Sequence, residues 1–119
     1  MQVVRLRHST VLASGKAGLM LFDPFLIPEA APKADVIFIT HGHYDHFSPE
    51  DIKRCLKPGT VIVCPPSLMK ECCRLAVTVK SVRGLEISTV PAYNIGKPFH
   101  KKEDGGVGYI VSDGTAVLY

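Results

Sequence analysis

Val36-Ile37-Phe38-Ile39-Thr40-His41-Gly42-His43-Tyr44-Asp45-His46 decides the reading of this chain. Its first four residues are a continuous apolar run of strand length, rich in β-branched side chains. That pattern suits a strand buried on both faces. Three of the chain's five histidines and one carboxylate then fall between positions 41 and 46. A packed core has no use for that much imidazole in one place. A metal does, because neutral imidazole and carboxylate are standard nitrogen and oxygen ligands for zinc, iron and manganese.

The flanks place this cluster. Downstream, Ser48-Pro49-Glu50-Asp51 reads as the start of a helix: Ser48 as N-cap, Pro49 as first helical residue, two acids in the first turn. The helix is expected to run to about Lys57-Pro58-Gly59. The histidines therefore occupy the loop that leaves the carboxyl end of a central strand, the edge where open α/β sheets form ligand sites. His41 and His43 are two apart, so they point the same way in an extended segment. Gly42 lets the backbone turn between them. Asp45 and His46 follow the bend and can face a second position, so one loop can offer two ligands to each of two metals.

Further out, strands are expected at Val3 to Arg7, Val11 to Ala13, Gly18 to Phe22 (ended by Asp23-Pro24), Val61 to Cys64, Val77 to Val79 and Leu85 to Val90. A second helix is expected from Pro66 to about Leu75. Tyr109 to Val111 and Ala116 to Tyr119 read as a hairpin around Ser112-Asp113-Gly114. This alternation predicts an α/β layer with helices packed on the sheet.

At 119 residues the chain is one domain at most, residues 1–119. Formal net charge is +3, with the basic residues spread along the chain, so charge gives no support to a nucleic-acid partner. The N-terminus carries charges where a secretion signal needs an apolar run, and no apolar stretch is long enough to span a membrane. Cys55, Cys64, Cys72 and Cys73 form no C-x-x-C pair. Four reduced thiols in a cytoplasmic protein are expected.

His41-Gly42-His43-Tyr44-Asp45-His46 resembles the H-x-H-x-D-H signature of the metallo-β-lactamase-fold superfamily at all four ligand positions. Asp23-Pro24 resembles that family's first motif, in which an aspartate braces the metal loop from behind. The continuation Asp45-His46-Phe47-Ser48-Pro49-Glu50-Asp51-Ile52, with Pro91-Ala92-Tyr93-Asn94 further on, is similar to a branch of zinc-dependent hydrolases related to ascorbate-6-phosphate lactonase. The resemblance covers nearly the whole chain. It implies that His41, His43 and a later histidine bind a first metal; His100 is the remaining candidate in that direction. It implies that Asp45 and His46 bind a second metal, and that Asp45 also orients the attacking water. His8, in Arg7-His8-Ser9-Thr10, matches a histidine near the start of this branch and is expected to support the site rather than to ligate.

The implied function is a metal-dependent hydrolase of a lactone, ester, amide or phosphodiester, with one or two zinc ions and iron or manganese as other candidates. A metal with an open position lowers the pKa of its bound water toward ~7 and polarises a carbonyl or phosphoryl oxygen. The alternative is a non-catalytic metal-binding or assembly module. Lys97, Lys101 and Lys102 could attract an anionic small-molecule substrate, or simply be a solvated loop. Gly105, Gly106 and Gly108 suggest a turn or close backbone packing, not a phosphate loop.

The family fold is an αββα sandwich of two α/β halves. This chain is expected to supply about the first half and the start of the second. The family's bridging aspartate and last histidine would lie beyond Tyr119, and Asp113 sits too early to replace that aspartate. The second metal would then keep only Asp45 and His46, so weak or absent binding is expected there, with a single metal held by His41, His43 and His100 as the other outcome. Uncovered apolar surface and sheet edges would favour a homo-oligomer.

Overall fold

The computed structural model describes residues 1–114 and 116–119; Thr115 and the side chains of residues 116–118 lie outside the description. Two sheets and two short helices make three layers. The larger sheet has the order β1-β2-β3-β4-β5-β6, formed by Gln2–Arg5, Val11–Gly15, Gly18–Phe22, Val36–Phe38, Val61–Val63 and Val77–Thr78. Its first three strands are antiparallel; β3 to β6 run parallel. The smaller sheet is antiparallel, in the order β7 (Glu86–Pro91), β8 (Val107–Ser112) and β9 (Ala116–Leu118).

The period of two along the strands sorts side chains between two cores. Leu21, Ile37 and Ile62 face the helices, packing with Ile52 and Cys55 of α1 (Pro49–Cys55) and Cys72 of α2 (Met69–Cys73). Met20, Phe22, Val36, Phe38 and Val63 face the other way, against Tyr109 and Val111 of β8. Strand β4 is therefore buried on both faces, as its unbroken apolar run requires. Phe22 stacks on Phe38 with ring centroids 4.6 Å apart, and Phe38 meets Tyr109 edge-on at 5.2 Å. Full burial of each such ring contributes roughly 1.5–3 kcal/mol. The Tyr109 hydroxyl donates to the Ile39 carbonyl at 2.7 Å, which satisfies a buried polar group and ties the small sheet to the exit of β4.

Several boundaries move from the sequence expectation. β1 stops at Arg5 because residues 6–10 close a turn, with Leu6 N donating to Thr10 O at 2.9 Å and Thr10 N to Arg7 O at 2.8 Å. α1 ends at Cys55 rather than near Lys57, Leu56 having left helical geometry. The Pro66 helix is divided: a 3-10 turn over Pro66–Leu68 leads into α2, which ends at Cys73. β8 begins at Val107, two residues before the expected Tyr109, and takes in Gly108. The β8–β9 hairpin forms as expected, pairing Ser112 with Ala116. Among the described residues, both α-helices lie on one face of the large sheet, giving an α/β/β stack.

Candidate metal centre

The site begins where β3 and β4 end side by side. Asp23 N donates to Phe38 O at 2.9 Å, so the pairing of the two strands continues one residue past β3. Asp23 is wholly buried with φ +45°, in the left-handed region. Aspartate visits that region more readily than most residues. Its Oδ1 accepts from Thr40 N at 2.8 Å; its Oδ2 accepts from Thr40 Oγ1 at 2.5 Å and from His46 Nδ1 at 2.7 Å. One buried carboxylate thus fixes both ends of the histidine loop.

These bonds assign the tautomers. Thr40 Oγ1 spends its proton on Asp23, so His41 Nδ1, 2.8 Å away, must be the donor to that oxygen. The lone pair of His41 is then on Nε2. That atom is buried and has no hydrogen-bond partner. Burial is the main reason the His41 pKa falls to about 4, with neighbouring His46 adding to the effect. His46 likewise donates through Nδ1 and leaves Nε2 free. The Asp23 hydrogen bond raises the His46 pKa, burial opposing it.

Two clusters of donor atoms result. His41, His43 and His100 form one, and His8, Asp45 and His46 form another; within each, the potential ligand atoms lie within 4.8 Å of one another. The rings of His43 and His100 are 4.4 Å apart, and those of His41 and His100 are 4.9 Å apart. An imidazole whose buried Nε2 carries the lone pair and has no hydrogen-bond partner is suited to ligate a metal. Asp23, His41 and His46 also converge, but both Asp23 oxygens are already engaged by the loop. Asp45 is the accessible carboxylate. Burial pushes its pKa up, but the hydrogen bond to His8 and nearby histidine charge bring it below the ordinary value.

His100 reaches the centre because the segment after β7 folds back. Asn94 N donates to His100 O at 2.6 Å and Asn94 Nδ2 to Phe99 O at 3.3 Å; His100 has φ +52°. A Cβ on Gly106 would lie 3.2 Å from Ala92 O and 3.4 Å from the His41 Cβ, so glycine is what lets this segment close over the loop. Sequence reasoning did not assign a role to Asn94 or Thr10. Thr10 is wholly buried; its Oγ1 donates to Asp23 O at 2.8 Å and accepts from Phe25 N at 2.9 Å. No local pattern in the sequence marks Thr10 for this role.

An open cleft of about 820 Å³ runs over the centre, with Arg5, His8, His41, His46, Tyr93 and His100 in its lining. Its cation is Arg5, whereas Lys97, Lys101 and Lys102 are exposed outside that lining. Lys102 instead sits 5.6 Å over the Tyr93 ring.

Comparison with known proteins bears on the family and fold of this chain. A metal-dependent hydrolase of Bacillus subtilis, UPF0173 YtkL, is 35% identical over 74 residues, which is 56% of this chain and 32% of that protein. The solved structure of a Parabacteroides distasonis protein assigned as a metal-dependent hydrolase superposes with a TM-score of 0.81 at 29% identity, covering 98% of this chain and 58% of that one. CmlA, a diiron β-hydroxylase from Streptomyces venezuelae, shares the fold with a TM-score of 0.74 at 18% identity, covering 98% of this chain and 28% of its own. The chain spans 18% to 32% of the length of the curated relatives it matches. Residues 2–119 match the Beta-lactamase superfamily domain, and the chain belongs to that family.

Proposed function

We propose that this chain carries the metal centre of a metal-dependent hydrolase. The carrying observation is the buried, unpartnered Nε2 of a neutral His41, converging with His43 and His100. His41, His43 and His100 would hold one cation, and Asp45 and His46 would take part in holding a second. Zinc suits a centre of imidazoles and one carboxylate. When bound, the ions supply Lewis acidity and a water acidic enough to act as a nucleophile near neutral pH.

The protein's own groups do the rest. Asp23 fixes the His46 ring and, through Thr40, the His41 ring, so both present Nε2 lone pairs. Asp45 is ionised and partly open to solvent, so it can accept the proton of an attacking water and aim it. Arg5 in the cleft wall favours an anionic small-molecule substrate carrying an ester, lactone, amide or phosphodiester bond. Four free thiols suit a reducing, cytoplasmic setting. We also propose a homo-oligomer: edge strand β1 has all four residues exposed, with Val3 and Val4 each about half open.

The test is zinc titration of the chelator-stripped protein by calorimetry, with thermal unfolding in parallel. Zinc at ~100 times its Kd adds ~2.7 kcal/mol of stability. His41→Ala is expected to abolish that gain at the first site. Protein that binds no divalent ion refutes the reading. Binding with no turnover of generic esters, lactones or phosphodiesters by the protein refutes the hydrolase assignment and leaves a binding module. Sedimentation as a monomer at micromolar concentration argues against the oligomer.

A further inference from the structure

His8 lies far from the histidine loop in sequence, yet its Nε2 is 2.9 Å from Asp45 Oδ2. His46 Nε2 is 3.8 Å from the same oxygen. The three side chains put their ligand atoms within 4.8 Å of one another. Two ligands of a tetrahedral zinc, each ~2.0–2.1 Å from the ion, are separated by ~3.3 Å. The two observed spacings bracket that value, and the third pair lies within 4.8 Å, so the three groups are within reach of one ion.

The backbone around His8 is built to hold this position. His8 has φ +52°, a conformation costly for most residues but better tolerated by histidine. The turn is closed by Thr10 N on Arg7 O at 2.8 Å, and Arg5 Nε donates to His8 O at 2.9 Å. Thr10 Oγ1 then anchors the turn to Asp23 O, the residue that orients His46. Phe25 meets the His8 ring edge-on at 5.4 Å. One strained turn is thus fastened to the same aspartate that organises the loop. The His8 side chain is 42% exposed, which leaves the position open to an entering ion.

We propose that His8 is a ligand, through Nε2, of a second divalent cation held together with Asp45 and His46. This inference rests on the proposed metal centre but goes beyond it. The set His8, Asp45 and His46 gives the second ion three protein ligands, the number typical of catalytic zinc sites with an open position. The His8 nitrogen that would ligate already lies 2.9 Å from Asp45 Oδ2, so the fold brings the two groups together.

The test is cobalt and zinc stoichiometry on the stripped protein, read by elemental analysis and by the visible absorption of bound cobalt. Wild type is expected to bind two ions per chain. His8→Gln, whose amide can still donate to Asp45, is expected to bind one tightly and the second at least tenfold more weakly, with about half the cobalt absorbance. His100→Ala is expected to spare the second ion and weaken the first. Circular dichroism checks that each variant is folded. Two ions bound with unchanged affinity in both wild type and His8→Gln overturn the inference and leave the metal centre standing. A single ion in wild type, lost in His43→Ala, has the same effect. No ion in wild type overturns both readings.

Discussion

Replacing Asp23 by alanine is the most exacting test of how this site is held. The carboxylate is wholly buried and receives three hydrogen bonds, from Thr40 N, Thr40 Oγ1 and His46 Nδ1 at 2.8, 2.5 and 2.7 Å. Alanine leaves the Thr40 N–H buried without an acceptor, which costs ~1–3 kcal/mol, and breaking a buried charged network through one member typically costs ~3–5 kcal/mol in all. Unfolding entropy is ~2.1 cal/mol/K per residue, so for 119 residues each kcal/mol shifts the melting temperature by ~4 °C. The expected fall is therefore ~12–20 °C for Asp23→Ala. Asp23→Asn keeps the volume and one acceptor oxygen, and is expected to lose ~1–2 kcal/mol. Releasing His46 Nδ1 also frees its ring, so the ion bound through His46 is expected to weaken ~10–100-fold. Thermal unfolding of the stripped protein and metal titration read the two effects separately. An Asp23→Ala protein that melts within ~4 °C of wild type and binds both ions normally would refute the claim that this carboxylate organises the loop.

Three further outcomes follow from the packing. Tyr109→Phe removes the hydroxyl that donates to Ile39 O; it is expected to lose ~1–2 kcal/mol in denaturant unfolding, and an unchanged midpoint counts against the tie between the sheets. Gly18→Ala is expected to destabilise by ~2–3 kcal/mol, because φ is +92° there and a Cβ would overlap the Asp35 carboxylate; a neutral effect means the β2–β3 turn differs from the one described. Asp35 pairs with Lys57 at 2.7 Å, and that hydrogen bond is the main cause of its lowered pKa, with Leu19 N contributing. A depressed carboxylate adds stability above its unfolded pKa of ~3.9 and loses it as pH falls through the lower folded value. Lys57→Met is thus expected to cost under ~1 kcal/mol at pH 7, since the pair is well exposed, and nothing once both states of Asp35 are protonated. A cost that is constant across that pH range removes the ion pair as its cause.

The location of the candidate site was legible in the sequence. Four ligand-type side chains between positions 41 and 46, following an apolar run and preceding a capped helix, mark candidate ligands and their place at the end of a strand. Those signals are local, and local geometry is what residue spacing encodes. The strands were legible for the same reason: alternation and β-branched runs carry their own period, although β1 and α2 end in tight local turns and Cys55 O at the end of α1 accepts from the distant Ala34 N.

Tertiary structure decided what composition and spacing leave open. His41 and His46 became ligand-ready because a buried carboxylate from the end of β3 fixed which nitrogen of each carries the proton. His100 became a neighbour of His43 because Asn94 and Gly106 fold a loop back, and neither is marked by any local period. His8 offers the clearest case. Alone in a turn between β1 and β2, it reads as a supporting residue, and only the anchoring of that turn to Asp23 brings its Nε2 to Asp45. The sequence by itself determined which groups are available and where the central loop presents them. The fold decided which distant groups meet it, because contacts between separate turns depend on how whole sheets stack and not on any short stretch of residues.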